Sequence, residues 1–192
     1  MKTLKIILFY IASFTWGAVM SVIGAVACLA LLITGHKPKL FHHVVYFEVG
    51  KNWGGVNLGV VFLCSKDCPE STHKHESGHG IQNVWFGPLM PFIVGIPSAL
   101  RYWLREQKTQ QAKVLFAVVV YSILVVISFL SIALHLINLW LLVIPILLYI
   151  YGTIIFLWLL WKEIPKYEEG KYVPDDSIWF EGQATALGDK YF

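Results

Sequence analysis

Two long stretches of this chain carry no charged residue. The first runs from Ile6 to Ile33, between Lys5 and the segment His36-Lys37-Pro38-Lys39. A bilayer core of about 30 Å takes about 20 apolar helical residues, so 6–33 predicts one long, tilted transmembrane helix. The second stretch covers the 48 residues from Val114 to Trp161, between Lys113 and Lys162. As a single helix it would be roughly 72 Å long, so it must cross twice. His135-Leu136-Ile137-Asn138 is the polar point near its middle. The pattern predicts a helical hairpin with arms 114–135 and 138–161, a kink at Pro145, and Trp158 and Trp161 as interfacial anchors. Ala25-Val26-Ala27 has the small residues of a signal-peptide cleavage site, but apolar sequence continues past Cys28 to Ile33. That continuation favours a retained span.

The polar residues fall into blocks 35–113 and 162–192. In the first, β-branched and aromatic runs at 41–49 and 56–63 flank Gly50-Lys51-Asn52-Trp53-Gly54-Gly55, which predicts a β-hairpin. Asp67-Cys68-Pro69-Glu70 then offers an N-cap acid with Glu three residues on, opening a helix that Gly87-Pro88 ends. Residues 84–100 are apolar but contain Pro88, Pro91, Gly95 and Pro97, a poor composition for a spanning helix. They read as a re-entrant or interfacial segment leading into an amphipathic stretch, 101–113. The fold expected is an α-helical membrane protein of three transmembrane helices with a small α+β domain containing a β-hairpin.

Composition agrees with the pattern. Hydrophobic residues make up 57% and charged residues 14%, against about 25% charged in soluble domains. The net charge of +3 gives no electrostatic footprint for nucleic acid. Nine Lys/Arg lie in 35–113 and four in 162–192, whereas Lys2 and Lys5 precede the first span. The positive-inside rule places both polar blocks in the cytoplasm and the N-terminus outside, in a multi-pass cell-membrane protein. Cys64 and Cys68 would there be reduced, small buried thiols; a disulfide between them is the alternative for an exported domain.

The candidate chemistry lies in His75-Glu76-Ser77-Gly78-His79. Imidazoles at i and i+4 sit one turn apart on one helix face and can share a Zn²⁺, while Glu76 between them can take a proton from water that the metal activates. The metzincin extension is missing, because Gln82 and Trp85 stand where Gly and His would be needed. A third ligand must come from elsewhere. Glu181, followed three residues later by Ala184, is the candidate because the pair resembles the gluzincin pattern, in which a second helix supplies a glutamate ligand; Ala at i+3 shares its helix face and leaves room for close packing. Gln82 shares a face with His79, and the Thr185 hydroxyl is placed to orient a ligand or contact substrate. His73, about 200° around the helix from His75, reads as a surface residue, and His42 and His43 as interfacial. His135 and Asn138 read as turn residues across the membrane.

His75-Glu-Ser-Gly-His-Gly-Ile-Gln82, Gly87-Pro-Leu89, Gly95-Ile-Pro-Ser98 and Glu181-Gly-Gln-Ala184 resemble a group of small bacterial membrane-associated HExxH proteins. Their motifs are HExGHxxQ, GPL, IPS and a late ExxA. The resemblance covers 75–98 and 179–188, with the hairpin matching by position. It implies a gluzincin-like zinc metallopeptidase acting on a peptide or protein, but supplies no particular substrate. In that pattern an Asp one turn after the glutamate often orients a histidine; here Ala184 or Thr185 stands in its place. The alternative is a non-enzymatic immunity or regulatory protein with a structural zinc, although a structural site has no use for Glu76 as a base.

Overall fold

The structure, a computed structural model, describes residues 2–135, 142–167 and 171–192. It is mainly helical with one small sheet, and it divides into two compact units. The first comprises Met1–Ile96 with Pro174–Phe192, the second Pro97–Val173. The sequence block 35–113 is thus shared between them, with the division at Pro97.

In the first unit, 6–33 is not one straight helix. α1 (Lys2–Thr15) and α2 (Ala18–Ile33) meet at 95° around Trp16-Gly17. A kink this sharp exposes backbone groups that need partners. Here the Asn83 side chain supplies one, its Nδ2 donating to the Gly17 carbonyl at 3.1 Å. The elbow is therefore held by a residue 66 positions away.

Four strands follow: β1 (Lys39–Phe41), β2 (Val44–Glu48), β3 (Gly55–Leu58) and β4 (Val61–Cys64). Their order in the sheet is β1-β2-β4-β3. The single hairpin expected between 41–49 and 56–63 is replaced by two antiparallel hairpins, β1–β2 and β3–β4, joined through the parallel pair β2–β4. Each apolar run is folded within itself by a two-residue turn. His42 takes a left-handed conformation in the first turn. In the second Gly59 does so, its N–H donating to Asn57 Oδ1 at 2.8 Å. Alternation then sorts the side chains. Val44, Tyr46, Phe62 and Cys64 pack with Cys68 and Phe192, while Phe47 and Val61 pack with Tyr10, Cys28 and Leu31 of the elbow.

Helix α3 (Glu70–Phe86) ends where expected but starts late. Pro69, in an extended conformation, is its N-cap residue, and Asp67 takes a left-handed conformation in the preceding turn instead of capping. Cys64 and Cys68 are joined by a disulfide across that turn, so neither is the free thiol expected. Gly87-Pro88-Leu89 follows as a 3₁₀ turn, and Pro91–Gly95 as a π-helical turn leading into α4 (Ile96–Arg105). The 84–100 segment is thus helical but broken at its prolines.

α7 (Trp179–Tyr191) lies against α3 with almost no gap. A Cβ added to Gly78 would fall 1.9 Å from the Ala184 carbonyl oxygen, and one added to Gly188 would fall 2.2 Å from that of Lys74. Backbone touches backbone at both points, a contact only glycine permits.

The second unit holds α4 from Pro97, α5 (Gln110–His135) and α6 (Val143–Trp158), the last continuing through short turns to Lys166. The hairpin arms thus lie close to their expected bounds. Pro145 sits in the first turn of α6, where its missing N–H costs nothing, and makes no mid-helix kink. The expected turn at 135–138 lies outside the described residues, apart from the backbone of His135. Leu100, Leu104, Ala117, Ile155 and Leu159 form the core. Beside it, fully buried Glu163 pairs with Arg101 (3.2 Å) and Lys166 (2.5 Å), so neither the carboxylate nor the buried guanidinium is left alone. Gln110–Ile132 and Val143–Lys166 are long and apolar enough to cross a membrane. Among the described residues, the count of such candidates rises to four if each bent pair, α1 with α2 and Glu70–Leu89 with Pro91–Arg105, is taken as one span.

The α3–α7 contact yields a stability test. Gly188→Ala pushes a methyl into the Lys74 carbonyl, and two helix backbones cannot rearrange around it as a side chain would. The variant should lose about 1–3 kcal/mol, read as a lower melting temperature of the detergent-solubilised chain.

Candidate metal centre

The buried face of α3 is polar. Glu76, Ser77, His79, Gln82 and Asn83 are all buried, together with Gly78 and Gly80. Polar groups removed from water need partners, and on this helix those partners form the site.

His75 Nε2, His79 Nε2 and Glu181 Oε2 stand at the corners of a triangle whose three sides are each 3.1 Å. α3 supplies both imidazoles from consecutive turns, their rings nearly perpendicular at 87°. α7 supplies the carboxylate from its first turn, across the contact made by Gly78 and Gly188. His79 and Glu181 are each 6% exposed.

The outer nitrogen of each ring is held, and the partners decide where the protons lie. Gln82 Nε2 donates to the Phe180 carbonyl at 2.7 Å and to Gln183 Oε1 at 2.9 Å, which fixes the orientation of its amide. Its Oε1 therefore faces His79 Nδ1, at 2.7 Å, and can only accept. Thr185 Oγ1 commits its one proton to Asp176 Oδ1 at 2.9 Å, so towards His75 Nδ1, also at 2.9 Å, it too accepts. In the neutral rings both Nδ1 atoms carry the hydrogen, and both Nε2 lone pairs point at the Glu181 oxygen.

Charge in the pocket runs the same way. Burial alone would pull the His79 pKa down; the hydrogen bond and charge of Glu181, the charge of Glu76 and the bond to Gln82 outweigh it and lift the pKa to about 8. The space between His79 and Glu181 favours positive charge. Two imidazole nitrogens and one carboxylate oxygen form a donor set used by catalytic zinc. With bonds of about 2.0–2.1 Å, tetrahedral ligands lie about 3.3 Å apart, close to the separations here. The group fits such an ion. Among the described residues, no fourth His, Cys, Asp or Glu joins it.

Glu76, 4% exposed, lies beside the triangle. Burial raises its pKa, the two histidine charges lower it, and Glu181 raises it again; the net shift is upward. No hydrogen bond reaches its Oε2 among the described residues. β3 presses on it: a Cβ at Gly55 would lie 2.6 Å from Glu76 Oε1. Asn57 Nδ2, on the same strand, donates to the Glu76 carbonyl at 2.8 Å and locks β3 to the helix.

His73 leaves the site's face of α3 and is partly buried against the sheet. It packs 4.7 Å from the Tyr46 ring, with Nε2 3.1 Å from Cys68 Sγ, and burial lowers its pKa. With Cys64 and Cys68 it forms the second group of metal-capable side chains among the described residues, its two sulfurs spent on the disulfide. His42 and His43 form the β1–β2 turn, and His43 stacks on Phe192 at 5.1 Å. Asp189 is exposed and outside the triangle.

Sequence reading brought forward Glu76, His75, His79, Glu181, Gln82 and Thr185, and all six meet here. It missed Gly55, Asn57 and Asp176. Asn57-x-Gly59 marks a turn, a local signal that says nothing about a helix 19 residues away. Asp175-Asp176 reads only as acid ahead of a helix. Comparison with protein-family models, curated proteins and solved structures finds no match.

If Glu181 is the third ligand, Glu181→Ala should lower zinc occupancy of the purified chain at least tenfold, and Asp189→Ala should leave it unchanged, both read by elemental analysis. Full occupancy in the first variant would remove Glu181 from the centre.

Proposed function

We propose that this chain is a membrane-bound zinc metallopeptidase of gluzincin type. His75, His79 and Glu181 hold the metal, and Glu76 acts as general base. One observation carries the reading: two imidazole nitrogens and a carboxylate oxygen stand 3.1 Å from one another, the outer ring nitrogens held by Gln82 and Thr185, beside a buried carboxylate oxygen that has no hydrogen bond among the described residues. A zinc ion bound there supplies Lewis acidity, acidifying a water and polarising a peptide carbonyl. Glu76 takes the proton of the attacking water and delivers it to the departing amine. Only glycine at position 55 lets the β3 backbone come this close to the carboxylate. β3 is an edge of the sheet, so an extended peptide added to it by main-chain hydrogen bonds would lie alongside Glu76. The strand-addition edge is Gly55–Leu58, since β4 is interior to the sheet. A purely structural zinc is disfavoured by the three-ligand set and by the glutamate beside it.

The α5–α6 hairpin returns the chain to the side it left, so α3 and α7 can share one metal. Thirteen Lys/Arg in the two polar blocks, against Lys2 and Lys5, favour the cytoplasmic side. A second reading rests on the Cys64–Cys68 disulfide, a feature of oxidising compartments, which favours the opposite side.

Glu76→Gln preserves size and removes the base. The variant should bind zinc as tightly as the parent and hydrolyse peptide roughly 10²–10⁴-fold more slowly; wild-type turnover would refute the assignment. For sidedness, a reporter enzyme active only outside the cell, fused after Phe192, should be silent. Strong activity from the full-length fusion would reverse the orientation.

A further inference from the structure

The site's outer hydrogen bonds do not end at Thr185. Its hydroxyl passes its proton to Asp176 Oδ1 at 2.9 Å while receiving one from His75 Nδ1 at 2.9 Å. Asp176 lies in the exposed 3₁₀ turn Asp175–Ser177, which leads into α7. That turn packs closely over the helix at Gly182, where a Cβ would stand 3.2 Å from the Asp176 carbonyl oxygen. The order of donors is forced by the chemistry of the groups. An ionised carboxylate can only accept, a hydroxyl has one proton to give, and so the imidazole must be the donor at the inner end.

We propose that Asp176 is a positioning residue of the metal centre, acting on His75 through Thr185 in a carboxylate–hydroxyl–imidazole relay. It does not touch metal or substrate. Its charge pins the Thr185 proton outward, which keeps hydrogen on His75 Nδ1 and leaves Nε2 free to ligate. The two histidines are thereby served differently: His79 is set by a neutral amide within its own helix, and His75 by a carboxylate from the loop before α7. The closure of that loop on α7 becomes part of the metal's affinity. This inference rests on reading His75 as a ligand.

The test uses the full-length chain in detergent, with zinc affinity measured by chelator competition and the ring N–H signals of ¹⁵N-histidine followed by NMR. Partners behind a metal-bound histidine typically contribute 10–100-fold in affinity, and the exposure of Asp176 puts it near the lower bound. Asp176→Ala and Thr185→Val should each weaken zinc binding roughly tenfold, and Thr185→Ser should restore it. The double variant should bind no more weakly than Thr185→Val alone, since either change breaks the same chain. In the zinc-loaded protein, the His75 Nδ1–H signal should exchange away in both single variants and persist in Thr185→Ser. The His79 Nδ1–H signal, held by Gln82, should persist in all of them and reports an intact fold. Parental affinity with an intact His75 signal in Asp176→Ala would overturn the relay. So would fully additive losses in the double variant. A parent chain that binds no zinc would instead refute the metal centre itself, and the relay with it.

Discussion

Everything at the centre depends on two helices meeting without side chains between them. Gly78 on α3 and Gly188 on α7 let carbonyl groups approach to distances that any Cβ would forbid. Across this contact Glu181 reaches the imidazoles of His75 and His79. The same closeness brings Gln82 to the Phe180 carbonyl and Thr185 to His75, so the groups that orient the ligands come with the contact that assembles them.

Buried polarity is expensive, and α3 has much of it. Three of these groups are matched to different neighbours. Gln82 is tied to α7, Asn83 to the α1–α2 elbow, and the Glu76 backbone to Asn57 of β3. The helix is the hub through which sheet, C-terminal helix and N-terminal elbow are joined. The Glu76 Oε2 atom is left without a hydrogen bond among the described residues, and that is the atom the proposed chemistry uses.

The apolar segments contribute in two ways. α5 and α6 pack on each other as a hairpin, with Glu163 between Arg101 and Lys166 beside their core. α1 and α2, by contrast, pack on the sheet: its face carrying Phe47 and Val61 is buried against them. An extracted domain lacking residues 2–33 would expose that face, so the N-terminal elbow belongs to the folding unit of the site.

The sequence by itself determined the long apolar helices, the end of α3 at Gly87, the one-face pairing of His75 with His79, and the suitability of Glu181 for a tightly packed C-terminal helix. Each follows from a local rule: apolar length, a Gly-Pro stop, or the 3.6-residue period. Only the tertiary structure decided the rest. The elbow at Gly17 exists because Asn83 reaches it, and the strands pair as two hairpins because His42 and Gly59 turn each run back on itself. His73 finds a sheet where the helical wheel indicated only the far side from His75. Asp176 finds Thr185 through a turn that folds over α7. Periodicity tells which side of a helix a residue occupies. What waits on that side is set by packing between segments far apart in the chain, and no local pattern encodes it.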